Sequence, residues 1–375
     1  MLRRPDGIDG CLARIAACDG EVRAWAEVSP KLPLREGRLD GVAFGAKDIF
    51  ETSGMATEYG SPLYAGRKGA CDAAIVTELR RQGAILIGKT HTTAFAYFDP
   101  APTRNPRDLR RTPGGSSSGS AAAVAAGMVP LALGSQTQGS ILRPASYCGI
   151  VGFKPTFGTV SRDGVLPFAP SLDTVGFFTE TAADMLEFMD LGPAGLRRAA
   201  LAVFPDALIA GTVERLRAGG FTVVAMDPPD GFDLLLQASR LINDYEGART
   251  HEERWREHGD GIGAKLAALV ERGLAIPQPR YDEALETVAR MRGVMAACFA
   301  AYPVVLSPAA TGPAPLGLES TGDPRMNAPW TALGVPAISV PMPVEGPPVG
   351  LQMTAATGQD AELLGIAVEV ERALC

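Results

Sequence analysis

The sequence is poor in the residues that hold metal ions and disulfides. It has three histidines, His91, His251 and His258, and its six cysteines form no CxxC pair. Structural zinc sites need four closely spaced Cys or His ligands, so the sequence has no zinc motif. Cysteines without paired spacing are typical of reduced, buried thiols in a cytosolic protein. We therefore expect no metal ion and no other cofactor.

Excess basic charge and long apolar runs are also absent. The 375 residues carry a net charge of −7, which argues against nucleic acid or an anionic membrane surface as the main partner. The longest apolar run, near 121–133, is interrupted by Gly127 and Pro130 and is too short to span a bilayer. The basic residues at the start of the chain precede no apolar signal-peptide segment. These features predict a cytoplasmic protein.

Two glycine- and serine-rich loops are the most informative feature of the chain. They span 114–120 and 134–140, and a segment rich in Ala, Val and Leu joins them. Small residues let backbone N–H groups approach a ligand closely. Two such loops can present hydroxyls and amide groups to one point, which is what acyl transfer from an amide or ester requires.

Hydrophobic periodicity predicts helices and strands along the whole chain. We expect helices over 8–28, 72–82, 120–127, 181–191, 234–256, 263–272, 280–299 and 360–374. We expect strands over 41–49, 84–87, 129–133, 303–306, 337–340 and 350–353. Strands near both ends with helices between them indicate an α/β sandwich with one mixed sheet. We predict a single domain over 1–375, with a mostly helical variable insertion at about 195–300.

A phosphate-binding motif is present only in outline. Residues 83–90, GAILIGKT, fit the Walker A pattern. A phosphate-binding loop needs small, flexible residues between its glycines, whereas here they are Ala-Ile-Leu-Ile. We interpret this segment as a buried strand followed by a turn.

A nucleophile elbow is an equally weak interpretation of the first serine loop. Residues 115–119, GSSSG, fit G-x-S-x-G and would make Ser117 a nucleophile with His251 or His258 as its base. The elbow requires an apolar strand directly before it, but RRTPG stands there. Both histidines lie in the charged segment HEERWREH, for which a solvated helix face is the default expectation.

A neutral lysine is another base that could activate a serine. Lys47 lies in GVAFGAKDIF, where apolar neighbours would bury it and lower its pKa. A surface lysine that extends from a strand end fits the same position, and position alone slightly favours it. The residues by themselves leave both alternatives open.

Three motifs together resemble the amidase signature family. They are GVAFGAKD with Lys47, GGSSSGSAAAVAAG at 114–127 and GSQTQGSILRPASYCG at 134–149. The segments 72–90, 327–341 and 350–353 resemble the family's helix–strand unit before the signature and its C-terminal strands. The resemblance covers nearly the whole chain and implies an amidase-signature-like α/β/α sandwich around a large mixed β-sheet.

The resemblance also implies a Ser–cis-Ser–Lys triad. Ser140 would be the acyl-forming nucleophile, Ser116 the bridging serine after a cis Gly115–Ser116 bond, and Lys47 the base. The 24 positions from Ser116 to Ser140 are the family's spacing. Backbone N–H groups would form the oxyanion hole, namely those of Thr137, Gln138, Gly139 and Ser140. Ser135 is assigned to substrate binding or contact with the triad, with a structural turn serine as the alternative.

Two positions depart from the common family pattern. Gln138 stands where the family commonly has glycine, and if φ is positive there, Gln138 would tune the pocket or weaken catalysis. Arg143 lies three residues after the nucleophile, where many members have arginine two residues after it, and this resembles the malonamidase-type branch. The Arg143 guanidinium would then grip a substrate carboxylate. An ion pair within the fold is the alternative role for Arg143.

These implications define the expected activity. We expect an amidase that hydrolyses a small-molecule amide, with or without a carboxylate, to an acid plus ammonia or an amine. The alternatives are an amidotransferase subunit, a biosynthetic acyltransferase that uses the same acyl-enzyme, and a non-catalytic binding relative. Amidotransferase members usually carry Asp where Gln136 stands, which disfavours that alternative. The expected partner is the amide substrate, and a homodimer is the commonest assembly for such a chain.

Overall fold

The computed structural model describes Leu2, residues 7–192 and residues 200–375. The strands are β1 (Trp25–Lys31), β2 (Ala43–Lys47), β3 (Ile85–Thr90), β4 (Leu131–Gln136), β5 (Val151–Lys154), β6 (Thr174–Thr179), β7 (Leu201–Val203), β8 (Val223–Ala225), β9 (Val304–Pro308), β10 (Ala337–Pro341) and β11 (Gly350–Ala355). The helices are α1 (Gly7–Val22), α2 (Ala74–Arg81), α3 (Ser118–Ala125), α4 (Leu142–Cys148), α5 (Ala182–Met189), α6 (Ala210–Ala218), α7 (Phe232–His258), α8 (Ala264–Leu274), α9 (Gln278–Ala301), α10 (Ala328–Leu333) and α11 (Asp360–Leu374).

All of these strands join one mixed sheet, in the order β1-β3-β2-β4-β6-β5-β10-β11-β9-β7-β8. Strand β2 is parallel to both of its neighbours, β3 and β4. The strands from β4 to β9 in this order pair antiparallel. Because β2 and β4 run in the same direction, their carboxyl ends meet at one edge of the sheet, where open α/β sheets commonly bind ligands.

Two hydrophobic clusters lie on opposite faces of the sheet. In β4, Leu131 and Leu133 belong to the larger cluster, whereas Ala132 between them belongs to the second. Successive side chains of a strand point to opposite faces, so the two clusters form two layers. Helices α3 and α4 contribute to the second cluster, and α5 and α11 contribute to the larger one. The predicted α/β/α sandwich around a large mixed sheet is confirmed.

The first predicted helix is too long. Helix α1 ends at Val22, and Trp25 begins strand β1, which pairs antiparallel with β3 at the edge of the sheet. Val22 and Trp25 are both buried and lie three residues apart, so helical spacing continued by chance into the strand. Strands β5 and β6 were not predicted, because every residue in them is buried and no alternating pattern marks a strand buried on both faces.

The segment that fits the Walker A pattern is strand β3, as the sequence interpretation held. Its Lys89 is fully buried and lies 3.5 Å from Asp48 in a salt bridge. The Lys89 amine also donates hydrogen bonds to the carbonyl oxygens of Phe50 and Ala56, at 2.7 and 3.0 Å. Lys89 is therefore a structural residue that ties β3 to the loop after β2.

The predicted helical insertion begins in residues 193–199, which lie outside the described part of the chain. The rest of it contains β7, α6 and β8, followed by α7, α8 and α9. The assignment of one domain with a variable part at about 195–300 stays a prediction. Within the described ranges, no helix is both long enough and apolar enough to cross a membrane.

The six cysteines are all free thiols. Cys11 and Cys148 are buried, as expected, but Cys71 and Cys375 are exposed. The expectation of buried thiols is therefore wrong for these two, because sequence spacing does not report which positions of a loop or a chain end face solvent.

Candidate active site

Strands β2 and β4 bring Lys47 and Ser135 to the same edge of the sheet. Lys47 is the last residue of β2, and Ser135 is the next-to-last residue of β4. The Lys47 Nζ lies 2.7 Å from Ser116 Oγ and 2.8 Å from Ser135 Oγ. Lys47 is fully buried, which excludes the alternative of a surface lysine.

The environment of Lys47 favours the neutral amine. Burial lowers the pKa of Lys47 to about 7, because the charged form loses its hydration. The negative charge of Asp173 acts in the opposite direction and raises this pKa. A base whose pKa lies near neutral pH is partly unprotonated under ordinary conditions and can accept a proton.

Ser116 lies between Lys47 and a small cleft. The Gly115–Ser116 peptide bond is cis, as the resemblance implied. The carbonyl oxygen of Ser116 accepts hydrogen bonds from the backbone N–H of Thr93 and from Thr92 Oγ1, at 3.3 and 3.2 Å. Ser116 and Ser140 both line a cleft of about 20 Å³, which is room for about one water molecule. The structure therefore joins Lys47 to Ser116 by a direct contact and brings Ser116 and Ser140 to one confined space.

The other loop serines have structural roles. Ser117 Oγ donates to the carbonyl oxygen of Ser135 and accepts a hydrogen bond from its N–H, at 3.2 and 3.3 Å. Ser118 Oγ donates to the carbonyl oxygen of Gly114 at 2.7 Å, and Ser120 Oγ donates to that of Leu133 at 2.7 Å. Ser117 is also fully buried, so the nucleophile elbow has no structural support.

His251 is not on a solvated helix face. It is fully buried on α7, and its ring contacts those of Phe95 and Phe168 at centroid distances of 5.7 and 5.3 Å. Burial lowers the pKa of His251 to about 3. The expectation of solvation is therefore wrong for His251, because one side of this charged helix packs against the rest of the protein. In the described part of the chain, no group of His, Cys, Asp or Glu could hold a metal ion.

A buried polar network supports the loop before the nucleophile. Gln136 Oε1 accepts hydrogen bonds from the N–H groups of Ile141 and Leu142, at 2.9 and 3.1 Å. Its Nε2 donates to Thr331 Oγ1 at 2.9 Å, and Thr331 Oγ1 donates to the carbonyl oxygen of Gln138 at 3.0 Å. Gln136 and Thr331 therefore fix both ends of the loop that carries Ser140.

The backbone of this loop is free to bind an anion. Among the hydrogen bonds of the described residues, none uses the backbone N–H of Gln138, Gly139 or Ser140 as donor. Gly139 has no room for a side chain, since a Cβ there would lie 2.5 Å from Asn327 Oδ1. Successive unpaired N–H groups beside a hydroxyl are the arrangement that an oxyanion hole requires.

Gln138 does not carry the backbone strain that the sequence comparison with glycine raised. It is absent from the described non-glycine residues with positive φ. Its side chain extends to α7, where Nε2 donates to Ser239 Oγ at 2.9 Å and to the Ser239 carbonyl oxygen at 3.2 Å. The side chain at position 138 therefore links the nucleophile loop to the helical segment.

Arg143 is buried without a carboxylate partner in the described part of the chain. One of its nitrogens, Nη2, donates to the carbonyl oxygen of Gly115 at 2.7 Å and lies 3.4 Å from Thr321 Oγ1. Its Nε and Nη1 atoms are buried and have no hydrogen-bond partner. Arg143 lines the same cleft as Ser140, and burial lowers its pKa to about 10. The ion pair within the fold that was its alternative role is not formed.

Sequence reasoning missed Asp173. Its Oδ1 accepts a hydrogen bond from Thr137 Oγ1 at 2.6 Å, and its Oδ2 accepts from the N–H groups of Phe168 and Ala169 at 2.7 and 3.1 Å. Burial raises the pKa of Asp173, and these hydrogen bonds oppose that effect. Asp173 lines a second cavity, of about 360 Å³, together with Ser135 and Thr137. Its distance in sequence from both serine loops left no local signal of this role.

Ser135 lies on the lysine side of the site. Its hydroxyl contacts Lys47, and it lines the larger cavity rather than the cleft that holds Ser140 and Arg143. Ala96, Thr137 and Phe168 line both spaces. The two cavities therefore adjoin at these three residues.

Comparison with known proteins places these residues in a family. A family model described as Amidase matches residues 10–192. One of the subunits of glutamyl-tRNA(Gln) amidotransferase from Alkaliphilus metalliredigens is 30% identical, over 98% of this chain and 93% of that protein. Its counterpart from Anaeromyxobacter dehalogenans is 32% identical, over 100% of this chain and 91% of that protein.

The fold supports the same relationship. A crystal structure of an amidase superposes with a TM-score of 0.88 at 27% identity, over 98% of this chain and 95% of that one. The curated relatives are amidotransferase subunits, so the comparisons do not support the malonamidase-type branch in particular. The motifs, the sheet and these matches agree that the chain belongs to the amidase signature family.

Proposed function

We propose that this chain cleaves the C–N bond of a small amide through an acyl-enzyme on Ser140. The observation that carries the proposal is the 2.7 Å contact between the buried Lys47 amine and Ser116 Oγ, with Ser116 and Ser140 in one cleft. Membership of an amidase family supports the same chemistry. The buried, neutral amine supplies the base that a serine nucleophile needs.

The acylation step uses all three side chains. Lys47 accepts the proton of Ser116 while Ser116 accepts the proton of Ser140, and Ser140 Oγ bonds to the amide carbonyl carbon. The carbonyl π electrons move to oxygen, where the N–H groups of Gln138, Gly139 and Ser140 stabilise the negative charge. When the C–N bond breaks, the proton returns through Ser116 to the leaving nitrogen. Water then attacks the ester by the same relay and releases the acid.

A carboxylate on the substrate would complete the charge balance of the cleft. A buried guanidinium without a counter-ion is costly unless a ligand supplies the anion. Arg143 Nε and Nη1 are the two unpaired donors available for it. In this proposal the acyl part of the substrate lies in the cleft beside Arg143, and the leaving group lies toward the larger cavity beside Ser135 and Thr137.

A second candidate function is that of an amidotransferase component, in which the released ammonia passes to an acceptor within a complex. The curated relatives favour this fate over free-standing hydrolysis, since they are amidotransferase subunits that match over 91% or more of their length. Gln136, at the position where such members usually carry Asp, speaks against it. The amide-cleaving chemistry on Ser140 is common to both candidates.

Replacement of the nucleophile should abolish acylation. In Ser140→Ala we expect amide hydrolysis to fall by at least about 10³-fold and fluorophosphonate labelling to disappear, because the hydroxyl beside the unpaired N–H groups is lost. Intact-mass spectrometry measures the label, and Ser320→Ala, at an exposed serine, is the matched control. Labelling of the Ser140→Ala protein at the wild-type rate would refute the assignment.

Replacement of Arg143 should remove the preference for acids. We expect wild type to favour a carboxylated amide over its uncharged analogue, and Arg143→Met to lose roughly 30-fold or more of that ratio of kcat/KM, since loss of a buried charge partner costs about 2–5 kcal/mol. The ratio corrects for any effect of losing the Gly115 hydrogen bond. Arg256→Met, at an exposed arginine of α7, is the control. An unchanged ratio in Arg143→Met would exclude the clamp.

The fate of ammonia separates the two candidate functions. A free-standing amidase releases acid and ammonia in equal amounts at the same kcat, alone or with the proteins that co-purify from its native cells. An amidotransferase component is expected to turn over slowly alone and at least about tenfold faster in its complex, because partners complete the path for ammonia. Coupled ammonia and acid assays on both preparations measure this. Equal kcat in the two preparations would exclude the amidotransferase candidate.

A further inference from the structure

Gln138 has a side chain where most of the loop around the nucleophile consists of small residues, and this side chain is held in one orientation. Its Nε2 lies 3.2 Å from the carbonyl oxygen of Ser239 and 2.9 Å from Ser239 Oγ. A carbonyl oxygen can only accept a hydrogen bond, so the amino group of the Gln138 amide must face it. Ser239 Oγ donates to the carbonyl oxygen of Ala328, at 3.3 Å, and is free to accept from Gln138. The assignment of the two amide atoms therefore follows from their partners.

This orientation leaves the amide oxygen of Gln138 without a partner. Oε1 is buried and makes no hydrogen bond in the described part of the chain. A buried acceptor that has lost its water costs free energy until another donor replaces that water. Gln138 lines the cleft of Ser140, so the cleft is where a ligand can supply the donor.

The cleft therefore presents two kinds of unsatisfied group. Arg143 offers donors at Nε and Nη1, and Gln138 offers an acceptor at Oε1. Both residues are at least nine-tenths buried, and both line the cleft with Ser140. A ligand that satisfies both groups carries an anion and a hydrogen-bond donor on the same small acyl part.

We propose that Gln138 is a specificity-determining residue whose Oε1 accepts a hydrogen bond from an N–H or O–H group on the acyl part of the substrate. The preferred substrates are then short half-amides of dicarboxylic acids that carry an amino or hydroxyl substituent. This inference rests on the proposed amide cleavage at Ser140 and adds the chemical class of the acyl group.

The size of the preference follows from the unpaired acceptor. A substrate without a donor leaves Oε1 dry and unpaired, whereas a substrate with one satisfies it. Sites that hydrogen-bond a substrate group reject the analogue that lacks this group far more strongly than apolar pockets reject a missing methylene. We expect at least a tenfold difference in binding between matched substrates.

The test compares pairs of equal chain length that differ only in the donor. The pairs are succinamate with asparagine, succinamate with 2-hydroxysuccinamate, and glutaramate with glutamine. Binding to Ser140→Ala by isothermal titration calorimetry gives Kd for every compound without turnover, and kcat/KM of wild type gives the kinetic ratio. Turnover of none of these compounds by wild type would count against the proposed function, whereas the Kd ratios test the role of Gln138 independently.

The variants isolate the acceptor. Gln138→Met keeps the length of the side chain and removes the amide, so in the Ser140→Ala background we expect the tenfold ratio to fall to about one. Gln359→Met, at an exposed glutamine, should keep the wild-type ratio. Equal Kd values within each pair, or a ratio that survives Gln138→Met, would overturn the inference. A preference for the amino compounds without any for the hydroxyl compound would also overturn it, because charge rather than an accepted hydrogen bond would then explain the selectivity.

Discussion

The burial of one lysine amine against two serine hydroxyls is the interaction on which the site depends. Lys47 ends β2 at the point where the neighbouring parallel strand β4 presents Ser135, and the first serine loop places Ser116 on its other side. A charged amine at this depth would need a counter-ion, but its closest polar partners in the described chain are hydroxyls. Neutrality near pH 7 is therefore a consequence of the fold. The same neutrality makes the amine a base.

The rest of the structure holds the nucleophile loop in position around this base. Gln136 and Thr331 support the loop from behind and leave its N–H groups directed away from internal partners. Arg143 reaches from α4 to the carbonyl oxygen of Gly115, so one buried cation ties the second loop to the first. Preorganised donors of this kind need no rearrangement as charge develops on the substrate oxygen. Packing and chemistry thus use the same hydrogen bonds.

The sequence predicted the chemistry of single residues better than their partners. Motif order and spacing identified Lys47, Ser116 and Ser140, and the unfavourable composition of GAILIGKT identified β3 as a strand. The sequence did not reveal Asp173, because its partner Thr137 lies 36 positions away in the chain and no local pattern connects them. Burial of His251 was missed for the same reason, since its apolar contacts come from other segments. The conformation at position 138 also required coordinates, because a departure from glycine does not itself report φ.

The most direct test of this account is the ionisation of Lys47 itself. Nitrogen-15 NMR of selectively labelled lysine, with the Lys47 signal assigned by its loss in Lys47→Met, measures its pKa in the free enzyme. The account predicts a midpoint near 7, so that the amine is mostly neutral above this pH and mostly charged below it. A midpoint near the ordinary lysine value of about 10.4 would contradict the central claim, because the amine would then be charged at neutral pH and unable to accept the proton of Ser116.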